Sequence, residues 1–143
     1  MGISKYTGEG YYDPTAYEAL TNIAREERLV THPYRPLVYI CSPYAGDVPG
    51  NTKRALQFCR FAVKKGAIPF APHLFYPQFM DERDKEQREL ALFFGRIWLR
   101  KCDALWYFGD RITEGMAREL QAAVHRGLKI RHFNDNFEEV QHV

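Results

Sequence analysis

From residue 36 onward the chain alternates between apolar runs of six or seven residues and longer stretches in which apolar residues recur every three or four positions. The run "PLVYICS" is β-branched and apolar throughout, which predicts a strand buried on both faces. "NTKRALQFCRFAVKKG" follows as a helix, with Ala55, Phe58, Cys59 and Ala62 at helical spacing and Gly66 at its end. "AIPFAP" reads as a second strand shortened by its prolines, and "HLFYPQFMDERD" as a loop longer than most connections. "KEQRELALFFGRIWLRKC" is the longest predicted helix of this region, with Leu90, Phe93, Phe94, Ile97 and Trp98 along one side. "DALWYFG" is a third buried strand, "DRITEGMARELQAA" a loop that turns into a helix, and "LKIRHF" a fourth strand. This order predicts a doubly wound, flavodoxin-like α/β fold: a parallel sheet of four to five strands with helices on both faces.

Ahead of residue 36 the pattern differs. Residues 1–12 are rich in Gly and Tyr without periodicity, the mark of an extended arm. Asp13 and Pro14 then fit an N-cap and first helical position, and Ala16, Tyr17, Leu20, Ile23 and Ala24 share one face of a helix reaching about Arg28. "THPYRP" breaks the chain after it. The expected organisation is an N-terminal arm and amphipathic helix over residues 1–35 and an α/β domain over 36–143. The helix serves equally as an interface or as a cover for the sheet.

Composition narrows the function classes. A chain of 143 residues with 45% hydrophobic, 15% aromatic and 27% charged residues can bury a core without metal or disulfide. The 20 basic and 18 acidic residues are spread along it, so nothing marks a duplex nucleic-acid surface. The apolar runs are too short to span a bilayer, and the first residues lack the regions of a secretory signal. Cys41, Cys59 and Cys102 have no metal or redox spacing and read as small buried hydrophobes, which places the chain in a reducing, cytoplasmic compartment. His73 makes no metal spacing with His125 or His132, so no metal is expected.

In open parallel sheets ligands bind beyond the carboxyl ends of the strands, where strand order reverses. Three loops converge there. "SPYAGDVPGNT" offers Ser42, Gly46 and Gly50 ahead of a helix expected to begin about Asn51, either an anion site on free N–H groups or a plain turn. In "PHLFYPQF", His73, Tyr76 and the phenylalanines form either an aromatic wall for a nucleobase or a packed loop. In the third loop Thr113 fits an N-cap, which puts Gly115 in the first turn, unfavourable unless something approaches the backbone. Met116, Leu120, Ala123 and Val124 form the apolar stripe of that helix, and Glu119 falls beside it. Periodicity alone favours a solvated or salt-bridged Glu119 over a carboxylate aimed into the crevice.

The motifs "VYICSPYAG", "IPFAPHLFYPQFMD" and "CDALWYFGDRITEGMAREL", with the helix they bracket, resemble those of the nucleoside 2-deoxyribosyltransferase-like family, in a branch typical of bacterial and phage genomes. The resemblance covers about residues 36–132. It implies cleavage or exchange of the N-glycosidic bond of a nucleoside or nucleoside 5'-monophosphate, hydrolysis ahead of transfer, with a glutamate nucleophile matched by Glu119. It implies phosphate binding at Ser42, Tyr44, Ala45 and Gly46 and at Thr113 and Gly115, with Met116 adjoining, and it makes Tyr44 the residue that orients Glu119. A homo-oligomer, dimer or larger, with a neighbour completing the site is also implied, and no cofactor. The chain departs from the family at two positions where relatives carry aspartates, here Gly95 and Thr113. Asp81, His73 and Asp110 are the candidate substitutes for the missing proton donor. The alternative reading is a non-catalytic nucleotide-binding or sensor domain.

Overall fold

The computed structural model describes residues 14–31 and 33–142; the expected arm over 1–12 and the Asp13 cap lie outside them. The chain divides into two units, Met1–Tyr34 and Arg35–Val143. In the first, helix α1 spans Pro14–Thr31, past the expected end at Arg28. The Thr21 hydroxyl donates to the Tyr17 carbonyl 2.7 Å away, one turn back.

The second unit is built on β1 (Leu37–Cys41), β2 (Ile68–Phe70), β3 (Ala104–Phe108), β4 (Lys129–Phe133) and β5 (Glu139–Val140), in the order β2-β1-β3-β4-β5. The first four strands are parallel, and β5 returns antiparallel to β4. The connecting helices are α2 (Val48–Lys64), α3 (Pro72–Phe75), α4 (Lys85–Lys101) and α5 (Glu114–His125). This is the expected flavodoxin-like α/β architecture. Strand order reverses between β1 and β3, as the crossover to β2 on one side and to β4 on the other requires.

The pleat explains why β1 and β3 are apolar at every position. In β1, Val38 and Ile40 face one way and Tyr39 and Cys41 the other, and all four are at most 2% exposed. Val38, Ile40, Trp106 and Phe108 pack with Phe58 and Ala62 of α2. Tyr39, Cys41, Leu105 and Tyr107 pack with Leu99 of α4 and Met116 and Ala123 of α5. Two cores therefore lie back to back across the sheet, the α2 side dominated by rings such as Phe58 stacked on Phe108 at 4.2 Å.

Two local expectations change. Helix α2 starts at Val48, ahead of Asn51, because Asp47 caps it by accepting from the Gly50 N–H at 3.1 Å. The first half of the long loop after β2 is helical: α3 leads directly into a 3₁₀ turn over Tyr76–Gln78. Pro72 at the first position of α3 and Pro77 at the second of the 3₁₀ turn favour the start of each, and Pro77, with no N–H to donate, keeps α3 from continuing.

Candidate active site

Glu119 sits in the second turn of α5, where the helix leans against the β1 face that carries Tyr39 and Cys41. Thr113 caps α5 as expected, its hydroxyl accepting from the Met116 N–H at 3.2 Å, and this sets the rotation that turns Glu119 toward β1. The Tyr39 hydroxyl lies near enough to the Glu119 carboxylate to act on it as a side-chain donor. The Cys41 thiol lies 3.7 Å from Glu119 Oε1 and 3.8 Å from the Met116 carbonyl oxygen. Burial pushes the Glu119 pKa up to about 7, and the two donors pull it partly back. Burial, then the Glu119 charge, raise both Tyr39 and Cys41, so they remain protonated donors.

Glu119 opens onto a cavity of about 630 Å³, within the range of small-molecule sites. Both α4 and α5 run antiparallel to the strands, so the cavity follows the groove between two parallel helices. Ala91, Gly95 and Leu99 line it from α4, and Gly115, Glu119 and Ala122 from α5. Tyr39 and Leu99 are deeply buried and form its floor. Gly95 leaves room there: a Cβ at that position would stand 3.2 Å from the Tyr39 hydroxyl and push it aside by a few tenths of an ångström. Toward the carboxyl edge of the sheet the wall is Pro72, His73, Tyr76 and Glu82, and Arg88, Arg96 and Arg118 add positive charge.

The sequence-derived candidates divide around this cavity. Glu119, His73, Tyr76 and Gly115 line it. His73 stacks on Tyr44 with ring centroids 4.6 Å apart, and burial lowers its pKa to about 4, so it is neutral at physiological pH. The Tyr76 hydroxyl accepts from Trp98 Nε1 at 2.7 Å. Tyr44 is not the partner of Glu119; the pleat turns Tyr39 and Cys41 toward α5, and Tyr44, in the loop beyond, packs on His73 instead.

Ser42 is buried off the cavity wall, and Ala45 and Gly46 are exposed on the loop surface, with Gly46 at φ +95°. The anion site expected at the start of α2 is filled from within: the Asp47 carboxylate holds the Gly50 N–H. Met116 is 1% exposed and belongs to the core rather than the cavity. Asp81 is exposed and tied to Arg83 at 3.2 Å, and Asp110 is exposed outside the cavity. The hydrogen bond from the Arg83 N–H, with its guanidinium, holds the Asp81 carboxyl below its ordinary pKa. The acidic residue that does line the wall is its neighbour Glu82, which sequence reasoning passed over. Tyr39 was also missed, although strand alternation places it on the same face as Cys41.

Among the described residues no cluster of three or more His, Cys, Asp and Glu side chains has a metal-binding arrangement. No helix in the described residues is long and apolar enough to cross a membrane.

Among solved structures, the 2-deoxyribosyltransferase of the psychrotolerant bacterium Bacillus psychrosaccharolyticus matches with a TM-score of 0.55 and 20% sequence identity, over 73% of this chain and 77% of that one. At that identity the likeness establishes a shared fold. No curated protein matches the sequence. A family model, that of a domain of unknown function, DUF7768, matches residues 36–133, the whole stretch from the start of β1 to the end of β4, and the chain belongs to that family.

Proposed function

We propose that this protein cleaves the N-glycosidic bond of a nucleoside or nucleoside 5'-monophosphate, with Glu119 as nucleophile. The observation that carries the reading is a carboxylate, desolvated to a pKa of about 7, held by Tyr39 and Cys41 at the floor of a nucleotide-sized cavity. Such a group is costly to bury, and among the described residues its direct partners, Tyr39 and Cys41, are neutral donors. A partly desolvated carboxylate is the nucleophile that attack at an anomeric carbon requires. Attack by Glu119 gives a glycosyl-enzyme, which water resolves in hydrolysis and a second base in transfer, with net retention. The shared fold with a 2-deoxyribosyltransferase supports the same chemistry. Hydrolysis is the favoured outcome.

The phosphate of a monophosphate substrate finds positive charge in Arg88, Arg96 and Arg118 along the cavity. The test is incubation with a panel of ribo- and deoxyribonucleoside 5'-monophosphates and nucleosides, following free base by chromatography. The expected result is base release by the wild type and its loss in Glu119→Ala, by at least about 1000-fold for removal of a nucleophile. Release that persists in the variant overturns the role of Glu119.

A further inference from the structure

A base leaving a sugar carries off the electron pair of the broken C–N bond, and a proton delivered to the base makes that departure feasible. The cavity holds few groups that can deliver one. Arg88, Arg96 and Arg118 supply positive charge and hydrogen-bond donors rather than an acid. The Tyr39 proton is directed at Glu119. His73 is neutral and packed face to face on Tyr44. Tyr76 is engaged by Trp98, and a phenol is a weaker acid than a carboxyl. His125 lies in the last turn of α5, at the end of the groove remote from the carboxyl edge of the sheet. Among the described residues that line the cavity, one carboxyl other than Glu119 remains, that of Glu82.

We propose that Glu82, which lines the same cavity as Glu119, donates the proton to the departing base. This rests on the reading of Glu119 as nucleophile. Glu82 is partly buried in the segment between the 3₁₀ turn and α4. Desolvation raises its pKa, so it binds a proton more readily than a surface glutamate, and Arg88, on the same cavity, opposes that shift. Arg88 thereby stabilises the carboxylate left after transfer. Burial and then the Glu82 charge raise the Tyr44 pKa, so Glu82 lies within electrostatic reach of the ring that stacks on His73, and His73 lines the same cavity.

The step balances. A Glu119 oxygen bonds to the anomeric carbon, the C–N pair passes to the base nitrogen, and the Glu82 proton moves onto the base. Glu82, now a carboxylate, takes a proton from the water that attacks the glycosyl-enzyme, and free sugar phosphate and Glu119 are regenerated. The two carboxyls thus take the nucleophile and acid/base roles of a retaining glycosidase.

The test compares leaving groups. Nucleoside 5'-monophosphates need protonation to release the base, whereas a 4-nitrophenyl glycoside of the same sugar expels its phenolate without it. Glu82→Gln is expected to lower kcat/KM on the monophosphates at least about 100-fold, and on the nitrophenyl substrate only a few-fold. Glu119→Ala loses both activities. In the wild type, kcat/KM rises and falls with pH, because Glu119 must be ionised and Glu82 protonated. In Glu82→Gln the alkaline fall disappears, leaving a rise through about pH 7 set by Glu119 with Tyr39 and Cys41 around it. The groups that interact with Glu82 are Arg88 on α4 and Tyr44 beyond β1, His73 on α3 lines the same cavity, and all are intact in the variant. Equal losses on both substrates, or none on either, overturn the role of Glu82 while leaving Glu119 in place. A wild type that cleaves neither substrate overturns the parent reading and this one with it. Glu82→Asp, expected to recover part of the monophosphate activity, guards against a merely structural effect.

Discussion

Tyr39 and Tyr44 lie five positions apart, and spacing alone does not say which phenol reaches Glu119. The pleat does: side chains two apart share a face, so Tyr39 points with Cys41 toward α5. The same ambiguity separates Asp81 from Glu82, adjacent residues of which one is bound to Arg83 in solvent and the other lines the cavity. Tyr39→Phe keeps the ring that packs near Phe70 and removes the donor. A hydrogen bond to a charged group contributes about 1.5–3 kcal/mol, so Glu119 is expected to titrate above its present value of about 7. On the nitrophenyl substrate, whose release needs no acid, the acid limb of kcat/KM is set by Glu119 alone; it then moves to higher pH, and the rate at pH 7 falls roughly 10- to 100-fold. A pH–rate profile of the variant checks this, and an acid limb that stays in place would exclude Tyr39 as a partner of Glu119.

At the level of elements, the long periodic segments were legible and the short ones were not. The helical spacing of Leu90, Phe94 and Trp98 and the apolar runs of β1 and β3 are strong local signals. By contrast α3, the 3₁₀ turn and the two-residue β5 hold too few residues for a period to show, and they form because neighbouring elements complete them. Helix α2 gained its first turn from one cap, Asp47, which closed the anion site that its loop promised.

Gly95 is a position at which local preference and site geometry oppose each other. Alanine is the better helix former by about 1 kcal/mol, but its Cβ would meet the Tyr39 hydroxyl at 3.2 Å. Gly95→Ala is expected to change unfolding stability by less than about 1 kcal/mol, and to lower base release because the Tyr39 hydroxyl is displaced from Glu119. A thermal melt together with the chromatographic assay separates the two effects, and full activity in the variant would argue against the close fit. On the other side of the sheet, Phe58→Ala removes a ring that is 3% exposed. It should cost about 3–5 kcal/mol in denaturant unfolding. A loss under 1 kcal/mol would mean that this core is not where the stability lies.

For the molecule as a whole, Glu119 sets stability against function. Its folded pKa of about 7 stands above the ordinary 4.5. The folded state therefore binds the proton more tightly than the unfolded chain, and this stabilisation is full below pH 4.5 and lost as pH rises through 7. Glu119→Gln should be more stable than the wild type by a margin that is about 2 kcal/mol larger at pH 8 than at pH 5. His73 runs the opposite way: its pKa, lowered to about 4, gives stability present above 6.5 and lost as pH falls toward 4. Because both proteins retain His73, the difference between them isolates Glu119. Denaturant unfolding at the two pH values is the measurement, and a margin independent of pH would show that Glu119 is solvated.

The doubly wound sheet with its covering helices followed from periodicity, since burial on one face or two imposes a repeat that any single sequence displays. The helix that carries Glu119, its Thr113 cap and the convergence of three loops at the strand ends followed from the same local rules. Which groups face one another across the groove did not. The pairing of Glu119 with Tyr39 joins residues 80 positions apart, and their approach depends on how α5 packs on β1. The cavity itself depends on the gap that Gly95 leaves between α4 and the sheet. Desolvation of a carboxylate is a property of the packed surroundings, and those exist only once the chain has closed around them.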